Sequence, residues 1–190
     1  MKIVFCFVGA LGSTAAMLCR SLGAELVFID FDRVETKNLA AQAFVKQSLG
    51  KNKAEALKLQ LQNFYGLKCE AFGVRIESTN VEVLCQSADL LVDCFDNAQS
   101  RKLLSDYARR AQKKLVHAAL AADGSFGLVR WDGNFVPDPE DVAGQATCEG
   151  GAHLPFIGLL SASLARVIQD YVSKKAEHEV MVSLNGASWT

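Results

Sequence analysis

A chain of 190 residues, half of them hydrophobic, is long enough to bury a sizeable core and suits one compact domain over residues 1–190. With 22% charged residues and a formal net charge of −1, it offers no global field for nucleic acid or an anionic membrane, and no apolar run is long enough to span a bilayer. Its 6 cysteines include no Cys-x-x-Cys pair, and Cys6, Cys19, Cys85 and Cys94 lie in apolar patterns, as small buried hydrophobes of a protein in the reducing cytoplasm do.

Residues 2–8 form a continuous apolar run that reads as a central buried strand; it leads straight into a glycine turn with no cleavage site, unlike a signal peptide. Helix formers follow over 12–22 and stop at Gly23. A second strand spans Glu25 to Asp30, and a charged loop over 31–40 leads to a helix at 51–64, where Ala54, Leu57, Leu61 and Phe64 recur at helical spacing. A strand at 68–74, a short helix at 79–86 and a buried strand from Ala88 to Cys94 come next. The helix 97–112 and the strand Lys114 to Ala119 complete the regular alternation. Phe126 to Trp131 reads as a strand, 132–152 as a long polar loop, 155–173 as a strongly apolar helix and Val180 to Leu184 as a last strand. The expected fold is therefore α/β and Rossmann-like: a doubly wound, mostly parallel sheet with antiparallel strands near the C-terminus.

The turn Gly9-Ala10-Leu11-Gly12-Ser13 stands where a nucleotide fold lets phosphates approach a helix start, and Asp30 stands where such a fold keeps an acid for ribose hydroxyls. Phe7 occupies the first glycine position of Gly-x-Gly-x-x-Gly, with Gly9 and Gly12 at the second and third. That pair of features alone suits any dinucleotide enzyme. Each residue also has a plainer reading: a tight turn for the glycines, an exposed loop carboxylate or helix cap for Asp30 and Asp32, a solvated cation for Lys51.

The continuation Asp30-Phe31-Asp32-Arg33-Val34-Glu35-Thr36-Lys37-Asn38-Leu39 is more specific, as are Gly50-Lys51-Asn52-Lys53-Ala54 and Asp93-Cys94-Phe95-Asp96-Asn97 with Arg101 following. Together they resemble the ThiF/MoeB/HesA family, bacterial relatives of the ubiquitin-activating enzymes, over roughly residues 2–173. The resemblance implies ATP-dependent adenylation of the C-terminal glycine of a ubiquitin-like or sulfur-carrier protein. It assigns Lys53 to the triphosphate from the first turn of a helix, Asn38 to a phosphate contact, and Asp96 to magnesium; the plainer reading of Asp96-Asn97 is an N-terminal helix cap. Asp93 needs a partner if buried, and Arg101 is a candidate. The family arginine that follows Asn-Leu-x is replaced by Ala41, and Arg33, Lys37 and Lys46 are the nearby cations. Cys148 corresponds to a loop cysteine that some relatives use for acyl or sulfur transfer. His117 reads as a satisfied strand-end residue. The zinc-binding Cys-x-x-Cys pairs of many relatives are absent, so ATP and Mg are expected without zinc. The resemblance also implies a homodimer. Because Phe7 and Ala41 both fall on the nucleotide site, a weakened member that scaffolds a partner stands as an alternative, and an unrelated dinucleotide oxidoreductase as a third.

Overall fold

The structure, a computed structural model, describes residues 1–121, 123–136, 153–183 and 186–190. Its framework is an 8-stranded sheet in the order β3-β2-β1-β4-β5-β6-β7-β8. The strands β1 (Lys2–Cys6), β2 (Glu25–Ile29), β3 (Glu70–Phe72), β4 (Leu90–Asp93) and β5 (Lys114–Leu120) run parallel. The remaining strands, β6 (Phe126–Trp131), β7 (Val180–Ser183) and β8 (Gly186–Trp189), continue it in antiparallel fashion. The expected fold class is therefore observed.

Side chains alternate across the sheet and feed a core on each face. Ile3, Phe5, Leu26, Phe28, Leu90 and Val92 join the core shared with α1 (Ala10–Leu18), α2 (Lys53–Tyr65) and α5 (Leu154–Lys174). Val4, Cys6, Val27, Ile29 and Leu91 point the other way, to α3 (Val81–Cys85) and α4 (Ala98–Arg110). Both faces of the central strands are covered, which is why they read as unbroken apolar runs rather than alternating ones.

From β1 the chain winds outward to β2 and β3, then returns to the other side of β1 as β4 and β5. The order reverses between β1 and β4, and in open α/β sheets this switch point opens a crevice at the strands' C-terminal ends. Asp30, Asp93 and the turn after β1 all fall there.

Several boundaries differ from the sequence expectation, each for a local reason. The run 2–8 ends as a strand at Cys6 because Phe7 has φ +75°, outside the β region. The first helix starts earlier than expected, at Ala10, and closes in a 3-10 turn over Cys19–Ser21 ahead of Gly23 at φ +67°. Its early start depends on Gly12, where a Cβ would lie 2.3 Å from the Phe7 carbonyl oxygen. The strand expected over 68–74 is reduced to Glu70–Phe72. The polar segment from 132 opens with a 3-10 turn, Asp132–Asn134. Beyond β7 lies β8, an edge strand whose residues are all exposed; the sequence reading stopped at 184. Its Gly-Ala-Ser-Trp composition carries no apolar alternation from which a strand could have been read.

Candidate functional site

Asp30 follows β2 and ties the turn after β1 to the second strand. Its Oδ2 accepts the Val8 N–H at 2.9 Å and its Oδ1 accepts the Asp32 N–H at 2.8 Å. The side chain is almost wholly buried, and burial pushes its carboxyl up to about 6 against the pull of Lys53 and the two backbone donors. Gly9 caps α1 without any side-chain hydrogen bond, and Ser13 Oγ donates to the Gly9 carbonyl at 2.6 Å.

Asn52 sets the start of α2 against this corner. Its Oδ1 accepts the Glu55 N–H at 3.1 Å as an N-cap, while its Nδ2 donates to the carbonyls of Asp30 at 2.7 Å and Asp32 at 3.1 Å. The Lys53 N–H donates to the Asp32 carbonyl at 2.8 Å. Lys53 therefore enters the first turn of α2 with its side chain directed at the 30–32 corner. It is 4% exposed, and its Nζ lies 2.9 Å from Asp32 Oδ2 and 5.3 Å from the centre of the Phe7 ring. The neighbouring Lys51 is exposed, as expected.

Phe7 is a non-glycine residue in the left-handed region, a conformation that costs about 1–3 kcal/mol and favours glycine. Its ring packs against the turn: a Cβ built on Gly9 would meet Phe7 Cε1 at 2.7 Å. On its other side, the Phe95 ring centre is 6.0 Å away. Phe7, Phe95, Asp30, Phe31, Asp32, Asp96 and Asn97 line a cleft of about 230 Å³ at the switch point, with Arg75 stacked 3.7 Å over Phe31 at its rim.

Asn97 caps α4 by accepting the Ser100 N–H at 2.9 Å, so the plainer reading of this motif holds for the asparagine. Asp96 stays exposed on the cleft wall, where the Asn97 amide donates to its Oδ1 at 3.3 Å. Asp96 and Asp32 line the same cleft, and a carboxylate with this freedom is able to take a hard cation. Asn38 is buried in a 3-10 turn over Thr36–Ala40, its Oδ1 accepting the Glu35 N–H at 2.8 Å. Ala41 packs into the core, and the nearby Arg33 guanidinium donates to the Gly50 carbonyl at 2.8 Å. The structure thus brings Gly9, Gly12, Asp30, Lys53 and Asp96 around one corner. Cys148 lies outside the described residues.

Behind the cleft lies a network that sequence reasoning only half found. Asp93 is fully buried, and Arg101 is its partner at 2.8 Å, as expected. His117, however, is also fully buried, and it stands well inside β5 rather than at its end. Its Nδ1 is 2.6 Å from Asp93 Oδ2 and its Nε2 is 3.0 Å from Asp132 Oδ1, while its ring stacks 4.0 Å from Phe135. Asp132 also accepts from Ser105 Oγ at 2.5 Å and from Arg109 Nε at 2.6 Å. Burial pulls the imidazole down, but the hydrogen bonds to both aspartates outweigh it and hold its pKa above the usual 6.5. Burial pushes Asp132 up, and His117, Arg109 and Ser105 overcome that and bring it down to about 2. A carboxylate oxygen lies within hydrogen-bond distance of each ring nitrogen of His117, so both nitrogens are already engaged. The signal that could have found it is register: Asp93 and His117 are opposite one another on neighbouring parallel strands.

Known proteins resemble this chain in both sequence and fold. The adenylyltransferase and sulfurtransferase UBA4 of Debaryomyces hansenii is 28% identical over 185 residues, covering 90% of this chain and 41% of that protein. The SAMP-activating enzyme E1 of Haloferax volcanii is 31% identical over 122 residues, covering 63% of this chain and 45% of that protein. The solved structure of E. coli MccB with ATP superposes at a TM-score of 0.78 and 18% identity, covering all of this chain and 62% of that one, a likeness of fold. The chain therefore spans less than half the length of these curated relatives. Residues 2–185 match the ThiF family, and the chain belongs to it.

Proposed function

We propose that this chain carries the nucleotide site of an adenylyltransferase that activates the C-terminal glycine of a ubiquitin-like or sulfur-carrier protein with ATP. The observation that carries the reading is the cleft at the sheet's switch point, where Asp30, Asp32 and Asp96 gather beside Lys53. Family membership and the adenylyltransferase and activating-enzyme names of its relatives support it.

In this reading the carrier's carboxylate oxygen attacks the α-phosphorus of ATP, forming the mixed anhydride bond of an acyl adenylate as the bond to the β-phosphate oxygen breaks and pyrophosphate leaves. Asp30, held on the cleft floor by two backbone donors, positions the ribose. Lys53 neutralises the phosphates, with Asn38 as a further phosphate contact and the α1 start at Gly9 and Gly12 behind them. Asp96 would hold magnesium, which when bound would supply positive charge beside the phosphates. Any role of Cys148 comes after the adenylate has formed. We further propose that residues 1–190 fold as one nucleotide-binding domain, that the protein works as a homodimer in the cytoplasm, and that no zinc is required. Among the described residues, no helix is long and apolar enough to cross a membrane.

The second reading, a weakened member that scaffolds a partner, is favoured by the Phe7 ring on the glycine turn and by the buried Ala41 where the family carries an arginine. Calorimetry with Mg-ATP and pyrophosphate exchange with candidate carrier proteins separate the two. The adenylation reading expects binding and exchange that Lys53→Ala abolishes. A folded wild type that neither binds nor exchanges favours the scaffold. Sedimentation at micromolar concentration tests the dimer, with a monomer counting against it.

A further inference from the structure

Phe7 does two things in the cleft that a glycine at its position would not. Its ring fills the shallow space left by the missing side chain of Gly9, touching the turn at a point where a Cβ on Gly9 would be only 2.7 Å from Cε1. It also packs against the Lys53 ammonium, 5.3 Å from the ring centre. Phe7 and Asp32 both line the cleft, whereas Lys53 does not and is almost wholly buried.

We propose that Phe7 determines which nucleotides the cleft admits: its ring, with Asp32, stands between Lys53 and the cleft, so a nucleoside enters directly while a polyphosphate reaches Lys53 only after the ring turns aside. The proposal rests on the adenylation reading of the same cleft and deepens it by naming the residue that controls the phosphate end.

The two parts of the gate, the Asp32–Lys53 pair and the Phe7 ring, differ in how readily they move. Asp32 has about a third of its side chain in solvent, 34%, so its carboxylate can turn to water when a phosphate takes its place on the ammonium. That swap trades one anion for another and costs little beyond the reordering of one short side chain. The ring is the harder part. It is clasped between Gly9 and Phe95, and its backbone stands in the left-handed region, so a rotamer change happens on a main chain that is already constrained. Ring displacement, more than the ion-pair exchange, therefore sets the penalty on a phosphate chain. The ribose end has no such obstacle, because Asp30 is held in place by Val8 and Asp32 backbone donors that do not depend on the Phe7 ring.

The test compares calorimetric binding of adenosine and Mg-ATP to wild type, Phe7→Gly and Phe7→Ala, with thermal melts as a check of folding. Phe7→Ala removes the ring while keeping a Cβ on the strained backbone, and Phe7→Gly removes both. Both variants are expected to tighten Mg-ATP about tenfold or more, the scale of one regained charge-assisted contact, and to leave adenosine within about threefold. Adding Lys53→Ala to Phe7→Gly should abolish Mg-ATP binding, as Lys53→Ala does alone, so that no gain survives without the ammonium. Folded variants that bind Mg-ATP no tighter than wild type overturn the proposal while adenylation stands, provided wild type binds and exchanges pyrophosphate. Equal tightening of adenosine and Mg-ATP also overturns it, since the ring would then obstruct the whole cleft. Absence of Mg-ATP binding in wild type and in both variants removes the adenylation reading and the gate together.

Discussion

Asp93 and Asp96 come from the same short stretch at the end of β4, yet they sit in opposite electrostatic settings. Asp93 is fully buried and well partnered: the Phe95 N–H, the Arg101 guanidinium and the His117 imidazole all contact its oxygens. Asp96 is exposed on the cleft wall with the Asn97 amide at 3.3 Å. The Lys53–Asp32 pair falls between these extremes, one partner buried and the other 34% open to water. The difference separates scaffold from site. A carboxylate buried among protein partners on both oxygens can hold strands in register but is closed to a ligand. One that keeps its oxygens open can bind a cation, and contributes little to stability. Asp93 joins β4 to β5 and, through His117 and Asp132, to the turn after β6. This rigid backing fixes where the Asp96 turn emerges.

The strongest way to break this contrast is to remove the centre of the buried network. His117→Ala leaves Asp93 and Asp132 without their shared donor and removes the stacking on Phe135. Urea unfolding is expected to show a loss of about 2–4 kcal/mol, because a buried ring and two charge-assisted hydrogen bonds are lost while Arg101 and Arg109 still pair the aspartates. A loss below about 1 kcal/mol would mean the aspartates find other donors, and the network would not be the scaffold described. Asp96→Ala is the counterpart. It should change stability by less than about 0.5 kcal/mol, as surface substitutions do, while abolishing Mg-ATP binding in calorimetry.

The same contrast has a pH signature of smaller size. The folded pKa of His117 is raised above the usual 6.5, so its contribution to stability is fully present below about 6.5 and is lost as pH rises through the folded value. Asp132 is lowered from 3.8 to about 2, so its contribution is present above about 4 and is lost as pH falls toward 2. Asp30, in the cleft, has the opposite sign to Asp132. Its carboxyl is raised from 3.8 to about 6 by burial, so ionising it costs stability as pH climbs through that window. Unfolding free energy measured from acid to alkaline pH should therefore fall on the alkaline side in wild type. In His117→Ala that alkaline decline should disappear, while the Asp30 slope between about 4 and 6 persists. An alkaline slope unchanged by His117→Ala would assign it to another group.

The fold was largely legible because its signals are local. Apolar runs such as 88–94 and turn residues such as Gly9, Gly12 and Asn97 announce strands and helix starts within a few positions. The site was legible as a set of names, since Asp30, Lys53 and Asp96 each follow a recognisable turn. Their state was not. Lys53 being buried against Asp32 and the Phe7 ring depends on Asn52 stapling α2 to the 30–32 corner, a contact between segments 22 residues apart. The sequence places His117 as a satisfied strand-end residue but does not name its partners, because they lie 24 and 15 residues away and meet it only through strand register and the turn after β6. Such meetings are products of topology, and no spacing rule records them. The strand β8 was missed for the opposite reason: an exposed edge lacks the burial that writes a pattern into sequence.

The smallest expected effect concerns Cys148, and it sharpens the contrast by separating adenylation from whatever follows it. The groups proposed for adenylate formation are an ammonium, a metal-holding carboxylate and backbone donors, and they act by positioning and charge neutralisation without a nucleophilic side chain. The cysteines of the framework are poor nucleophiles: burial pushes Cys19 up to about 12 and raises Cys94 further, so the thiolate is scarce in both. Cys148 lies between β6 and α5 in the chain, remote in sequence from Lys53 and Asp96. Cys148→Ala should therefore retain carrier-dependent pyrophosphate exchange within about twofold, since no transition-state contact for that step is removed. Any acyl or sulfur transfer after the adenylate should be where its loss is felt, read as a missing thiol-sensitive carrier adduct on denaturing gels. If Cys148→Ala abolishes exchange while the melt stays at the wild-type temperature, the cysteine belongs to the adenylation step and the division of roles among Lys53, Asp96 and Cys148 has to be redrawn.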